Sequence, residues 1–241
     1  ALFDRLAERL PHLPPDTAIF LATTVGAIDC LEQAPPTATP DCPGILLDAV
    51  RKRFPQQQAT LISAACASGQ IATACAMRAL RRNRCRAALV IGLDITSEFV
   101  TSGFASLGAV SRTITRPYDE HRDGLLLGEG AGAILLSQES SRSAPGRLLA
   151  ARESCDAAHI TAPDLSGQQL ASLISATLQE AGITPADIGG VIGHGTGTLY
   201  NDQSEIAALA KVFGSCAAGP PLVSIKGNLG HTLAASGILQ I

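Results

Sequence analysis

The sequence has no apolar run long enough to cross a bilayer: its longest, residues 125–136, is short and carries Glu129. It also lacks an excess of positive charge. A net charge of −3 and a pI near 5.9 argue against a dedicated nucleic-acid binder, which would show a basic patch. No basic segment precedes an apolar one near Ala1, so no secretory signal is visible; beginning at Ala rather than Met leaves room for an upstream segment. Cys-x-x-Cys is missing too. The seven cysteines (30, 42, 66, 75, 85, 155 and 216) are odd in number and irregularly spaced, against both a zinc ribbon and a disulfide framework. Reduced thiols, a cytoplasmic location and no bound metal are therefore expected.

What the chain does have is apolar content, 46% of 241 residues, enough for one large core or two small ones. Short apolar runs predict strands at 17–25, 59–65, 87–92, 125–136, 147–154, 188–194 and 222–225. Helical spacing predicts helices at 45–54, 66–82, 166–182 and 201–213, with another opening near His231 and a helical or mixed segment before Val110. Pro35, Pro36, Pro40 and Pro43 make 31–44 a loop, and 137–146 reads as a polar connection. Strands alternating with helices indicate an α/β protein with largely parallel sheets. A faint echo links Cys66-Ala-Ser-Gly69 to Ala234-Ala-Ser-Gly237, 168 residues later, each following a strand and opening a helix.

Three segments carry chemistry. Cys66 sits in Leu61-Ile-Ser-Ala-Ala-Cys-Ala-Ser-Gly69, where a strand pattern turns into a helical one. A helix N-terminus stabilises a thiolate, the form in which a thiol attacks, and the small neighbours leave the sulfur uncrowded. A buried core thiol is the alternative for any cysteine. His194 ends an apolar run and is followed by Gly-Thr-Gly-Thr, which places it at the carboxyl end of a strand, where α/β sheets build sites. Lys226-Gly-Asn-Leu-Gly-His231 adds an ammonium and a second imidazole. Two glycine-framed histidines and a cysteine together point to a site for thioester chemistry. Asp202 and Glu205 either support it or cap and solvate the helix that follows.

These blocks resemble the β-ketoacyl synthases, condensing enzymes of the thiolase superfamily. Ala64-Ala-Cys-Ala-Ser-Gly69 is similar to the family's nucleophile block. Arg116-Pro-Tyr-Asp-Glu-His-Arg-Asp-Gly-Leu-Leu-Leu-Gly-Glu-Gly-Ala-Gly132 resembles a long structural signature, to which Tyr118 and Glu129 belong. Gly193-His-Gly-Thr-Gly-Thr198 with Asp202 and Glu205, and Ser224-Ile-Lys-Gly-Asn-Leu-Gly-His-Thr-Leu-Ala-Ala-Ser-Gly237, match the two histidine blocks in order. The resemblance covers most of residues 59–241.

The resemblance implies a layered α-β-α-β-α thiolase-like fold of two pseudo-duplicated halves, 1–137 with the nucleophile and 147–241 with the histidines, forming one globular unit. It implies that Cys66 accepts an acyl group from an acyl carrier protein. A malonyl extender then loses carbon dioxide while His194 and His231 donate to its thioester oxygen, the oxyanion logic of acyl transfer. Lys226, paired with Glu205, would support them, and backbone N–H groups near Cys66 would serve the acyl-transfer oxyanion. Phe104 falls where the family lines its acyl pocket, or simply packs in the core. Arg78, Arg81, Arg82 and Arg84 suit either a helix C-terminus or a carrier-protein dock. No cofactor is implied beyond the carrier's phosphopantetheine. The expected partners are the carrier and a second synthase-type subunit, identical or not; no nucleic acid or membrane span is expected. Both ends depart from the family, so a compact or truncated variant is expected: the start is short, and after Ile241 the family has further strands and a glycine-rich Phe loop. A non-catalytic subunit resembling a chain-length factor, and an acyl-loading protein that does not condense, are the other readings.

Overall fold

The computed structural model describes residues 2–35, 37–139, 144–159, 161–215 and 219–241; Pro36, Cys216 and part of the 137–146 connection lie outside these. In chain order the helices and strands are α1 (Leu2–Ala7), β1 (Thr17–Ala22), α2 (Ile28–Glu32), α3 (Cys42–Arg53), β2 (Ala59–Ile62), α4 (Ser68–Arg81), β3 (Ala87–Asp94), α5 (Glu98–Ser106) and β4 (Gly130–Ser137). They continue with α6 (Gln168–Ala181), β5 (Val191–Ile192), α7 (Leu199–Phe213), β6 (Leu222–Val223), α8 (Lys226–Leu229) and α9 (Ser236–Leu239). Two compact units result. The first comprises Ala1–Gly103, Gly128–Leu148 and Thr232–Ile241; the second comprises Phe104–Leu127 and Leu149–His231.

The first unit is built on a sheet of order β2-β1-β3-β4. β1 runs parallel to both β2 and β3, but β4 returns antiparallel to β3, from Ala87↔Ser137 to Asp94↔Gly130. The sheet is thus largely parallel, as expected, with one antiparallel edge strand, because the long excursion after β3 re-enters from the opposite end. β3 is buried along its whole length, as a strand covered on both faces must be. The strand period of two sends Ile19, Leu21, Leu89 and Ile91 to one face, against Leu46 and Val50 of α3. Ala22, Ala88 and Val90 face the other way, against Ala72, Ala76 and Leu80 of α4. α3 starts at Cys42, earlier than its apolar pattern suggests, because Asp41 caps it by accepting from Gly44 N at 3.0 Å.

Alanine and glycine on the α4 side let helices approach closely. A Cβ on Gly69 would lie 2.5 Å from Ala234 O and 3.0 Å from Gly237 Cα. The two echoed Ala-Ser-Gly segments therefore meet at their glycines. Gly92 similarly admits Ile238, 2.7 Å from where its Cβ would stand. The glycines around β4 act as expected: a Cβ on Gly130 would press on Thr232 at 3.1 Å. The basic end of α4 lies about 20 Å along the helix from Cys66, at roughly 1.5 Å per residue. That position complements the macrodipole.

In the second unit α6 packs on α7, and β5 pairs in parallel with β6. Glycines in the left-handed region, Gly167 and Gly182, bound α6. The strand expected at 147–154 does not form; these residues adopt no regular element, and Leu148 and Leu149 stay exposed. The run expected at 188–194 shortens to β5, flanked by Gly189-Gly190 and Gly193. Residues 125–127 leave the expected strand and make isolated bridges, Val110↔Leu125 and Leu127↔His231. The helix expected to open at His231 begins later, with a 3-10 turn at Leu233–Ala235 leading into α9. Among the described residues no helix is long and apolar enough to cross a membrane.

Candidate active site

Cys66 belongs to the first unit and is partly exposed, without a disulfide. It lies between the end of β2 and the start of α4, which opens without a side-chain cap. The turn before it places Ala65 in the left-handed region, at φ +50°. Such a backbone persists only when its surroundings fix it. Here Ser68 Oγ donates to Ala65 O at 2.6 Å and accepts from Ala64 N at 2.8 Å, while Thr24 Oγ1 donates to Ala65 O at 3.2 Å. Thr24 is tied in turn to buried Asp94, which accepts from Thr24 N (3.0 Å), Thr23 Oγ1 (2.7 Å) and Ala234 N (2.8 Å). The sulfur is thus presented on a pinned turn at a helix N-terminus, where an anion is favoured.

The second unit gathers the remaining candidates. His194 leaves β5 on a loop whose four successive amides are bound by two carboxylates. Glu205 accepts from His194 N (2.6 Å) and Gly195 N (2.9 Å); Asp202 accepts from Thr196 N (3.0 Å) and Gly197 N (3.1 Å). Three residues apart on α7, the two acids share one helix face, so one turn of helix can hold a whole loop. Gly195 (φ +36°) and Gly197 (φ +76°) bend the loop to fit. The carboxylates are 0% and 8% exposed, so they neither solvate nor cap α7. Burying them is tolerable because charged acceptors receive several hydrogen bonds. Asp202 also accepts from Tyr118 N (2.7 Å) and Asn201 Nδ2 (3.0 Å), with Arg122 Nε 3.9 Å away.

Lys226 is fully buried, at 0% exposure. Its Nζ donates to His194 O at 2.6 Å and stands 3.5 Å from His194 Nδ1. Lys226 and Glu205 thus hold opposite ends of the same residue's backbone. An ammonium has no lone pair, so Nδ1 is the acceptor and the ring proton is assigned to Nε2. His231 is 1% exposed; its amide donates to Leu126 O at 2.7 Å, and its ring meets His194 edge-to-face with centroids 5.3 Å apart. Phe104 packs on His231 at 6.4 Å. Burial, then the Lys226 charge, pushes the His194 pKa down to about 3; burial, His194 and Lys226 hold His231 well below 6.5. Both imidazoles are neutral at pH 7, each with one N–H to donate.

A cavity of about 440 Å³ opens beside this cluster, lined by Cys155, Leu170, Leu173, His194, Asn201 and Glu205 among others. A smaller apolar cavity of about 220 Å³, bounded by Val191, Ile206 and Phe213, holds no candidate residue. Sequence reasoning set Tyr118 aside as structural and missed that its hydroxyl donates to Glu205 Oε2 at 2.8 Å. The only signal available was its place in the Arg116-Pro-Tyr block.

The N-terminal domain model of the β-ketoacyl synthases matches residues 58–142 and the C-terminal domain model matches 146–241. The chloroplastic 3-oxoacyl-[acyl-carrier-protein] synthase I of Arabidopsis thaliana is 33% identical over 74% of this chain and 40% of its own length. A putative polyketide β-ketoacyl synthase of Streptomyces cyaneus is 31% identical over 83% of this chain and 50% of its own. The chain thus spans half or less of these curated relatives. A solved ketosynthase in complex with its chain length factor, from Xenorhabdus doucetiae, superposes with a TM-score of 0.80 at 30% identity, covering 98% of this chain and 62% of that one. A β-ketoacyl synthase from Burkholderia phymatum gives 0.78 at 26% identity, over 93% and 60% of the two chains. The fold is that of the thiolase-like ketosynthases, and the chain belongs to the β-ketoacyl synthase family.

Proposed function

We propose that this chain supplies the condensing chemistry of a β-ketoacyl synthase, an acyltransferase joining a cysteine-bound acyl group to a malonyl extender in fatty-acid or polyketide synthesis. The observation that carries the reading is the pair of neutral imidazoles beside buried Lys226. Neutral N–H donors with a nearby fixed cation suit an oxygen that becomes negative only in the transition state.

In the first half-reaction the Cys66 thiolate attacks the carrier's acyl thioester. A Cys66 S–C bond forms, the carrier's C–S bond breaks, and the carrier's sulfur leaves as thiolate, taking up the proton that Cys66 released. In the second, the malonyl C–C bond breaks, carbon dioxide departs, and the electron pair moves into the extender's thioester as an enolate. His194 and His231 donate to that oxygen. The enolate carbon then attacks the acyl carbon, and the Cys66 sulfur leaves as thiolate. Phosphopantetheine of an acyl carrier protein holds both substrates, so the residues need no cofactor of their own. A cytoplasmic setting, a carrier partner and a homodimer or mixed dimer belong to the same proposal. Related solved structures that pair a ketosynthase with a chain length factor support a second reading, a partner subunit without its own chemistry. Cys66, His194 and His231 are all present, which favours the catalytic one.

Mass spectrometry after incubation with acyl carrier thioesters, followed by malonyl carrier, tests this. The expected result is an acyl adduct on Cys66 and then a ketoacyl product. Absence of the adduct overturns the catalytic reading; an adduct without product leaves only acyl loading.

A further inference from the structure

The glycines on either side of His194 suggest a tight turn, yet Gly193 has no left-handed backbone to explain it. A Cβ at Gly193 would lie 2.0 Å from the Tyr118 hydroxyl, and one at Gly195 would lie 2.8 Å from the Tyr118 ring. Gly193 thus clears space for the phenol hydroxyl, and Gly195, besides its positive φ and a Ser224 Cβ at 2.6 Å, clears space for the ring. Tyr118 itself is held at φ +65°, a conformation that a non-glycine residue keeps only when its surroundings enforce it. The enforcement is its amide, bound to Asp202 at 2.7 Å, and its hydroxyl, bound to Glu205 at 2.8 Å. Burial and then the Glu205 charge push the phenol's pKa up, so it stays a donor.

The geometry points to Tyr118 as a positioning residue for His194, acting through Glu205 and touching no substrate. This rests on the condensing reading above and deepens it. Glu205 Oε2 is shared between Tyr118 and the Gly195 amide, while Oε1 takes the His194 amide. Without the phenolic donor the carboxylate turns more freely. The peptide it holds carries the carbonyl to which Lys226 is bonded, and with it the direction of the His194 N–H. The decarboxylation step needs that direction; acyl transfer to Cys66 does not.

Tyr118→Phe keeps the ring and removes the hydroxyl, and Tyr200→Phe, at the exposed second tyrosine, is the control. The expected outcome is a malonyl decarboxylation kcat lower by about tenfold (~1.4 kcal/mol), with KM and the rate of Cys66 acylation unchanged. Hydrogen exchange at the His194 and Gly195 amides should quicken by a similar factor, with Tyr200→Phe like wild type throughout. Unchanged decarboxylation, or decarboxylation and acylation falling together with the melting temperature, overturns the assignment. Should the wild-type chain neither load nor decarboxylate, the condensing reading fails by itself. The exchange measurement then decides alone: unaltered protection of the two amides overturns the role of Tyr118.

Discussion

The nucleophile's unit and the histidines' unit hold their reactive groups by different means. In the first, close apolar packing dominates: alanines and glycines draw α4 against the sheet and α9, and Asp94 fastens the strand ends. In the second, the His194 loop hangs from two buried carboxylates, with Lys226 binding from the other side. A thiol needs only to be presented, which a packed helix N-terminus does well. Two imidazoles that must stay neutral and aimed need directional bonds. The polar framework is the more brittle, since an unpaired buried donor costs far more than a paired one returns.

The contrast can be broken by substitution. Asp202→Ala should have the largest effect, roughly 3–5 kcal/mol of stability, because it leaves buried amides and Arg122 without their carboxylate. Chemical denaturation measures it; a loss below about 1 kcal/mol would mean that packing, not the carboxylate, holds the loop. Gly69→Val in the other unit should cost about 2–3 kcal/mol by overpacking against Ala234 and Gly237. An unchanged denaturation midpoint there would remove the close approach from the account.

Acidity sharpens the comparison further. The folded His194 pKa is depressed from 6.5 to about 3, so the unfolded chain takes up a proton in this window before the folded one does. Its contribution is present above about 6.5 and is lost as the pH falls towards 3. His231 acts in the same direction. Melting temperature should therefore drop over this interval, and His194→Gln should flatten the drop; a parallel curve would contradict the burial of a neutral ring. Cys66→Ser should have the least effect on stability, within about 0.5 kcal/mol, while abolishing the adduct that a thiol-alkylating reagent forms at residue 66. A large destabilisation would show that the sulfur packs rather than reacts.

The elements legible in the sequence were those encoded locally. Strand β3 and helix α4 follow from apolar period, and the turns around Cys66 and His194 follow from small residues at a strand end. The spacing of Asp202 and Glu205 was visible, but not its use, because capping a helix and holding a preceding loop require the same three-residue step. Tyr118 was overlooked because its role depends on glycines in another segment, whose missing side chains give no local signal. A strand at 147–154 was expected from a short apolar run, and a run that short does not by itself decide between strand and irregular chain. The reversed direction of β4 is set by the excursion before it, which no two-residue alternation records.

The first unit is assembled from three separated stretches, and the last of them contributes Ala234 and Ile238 to its interior. Asp94 must wait for an amide 140 residues further on. On the ribosome, the whole of Leu149–His231 would emerge before this core could close. Synthesis at about 5–20 residues per second makes that a delay of several seconds, during which α4 covers its face of the sheet without the help of Ala234 and Ile238. The chain that carries the nucleophile thus has a window in which part of its alanine-lined interior is open to chaperones or to aggregation, and the arrival of residues 232–241 ends it.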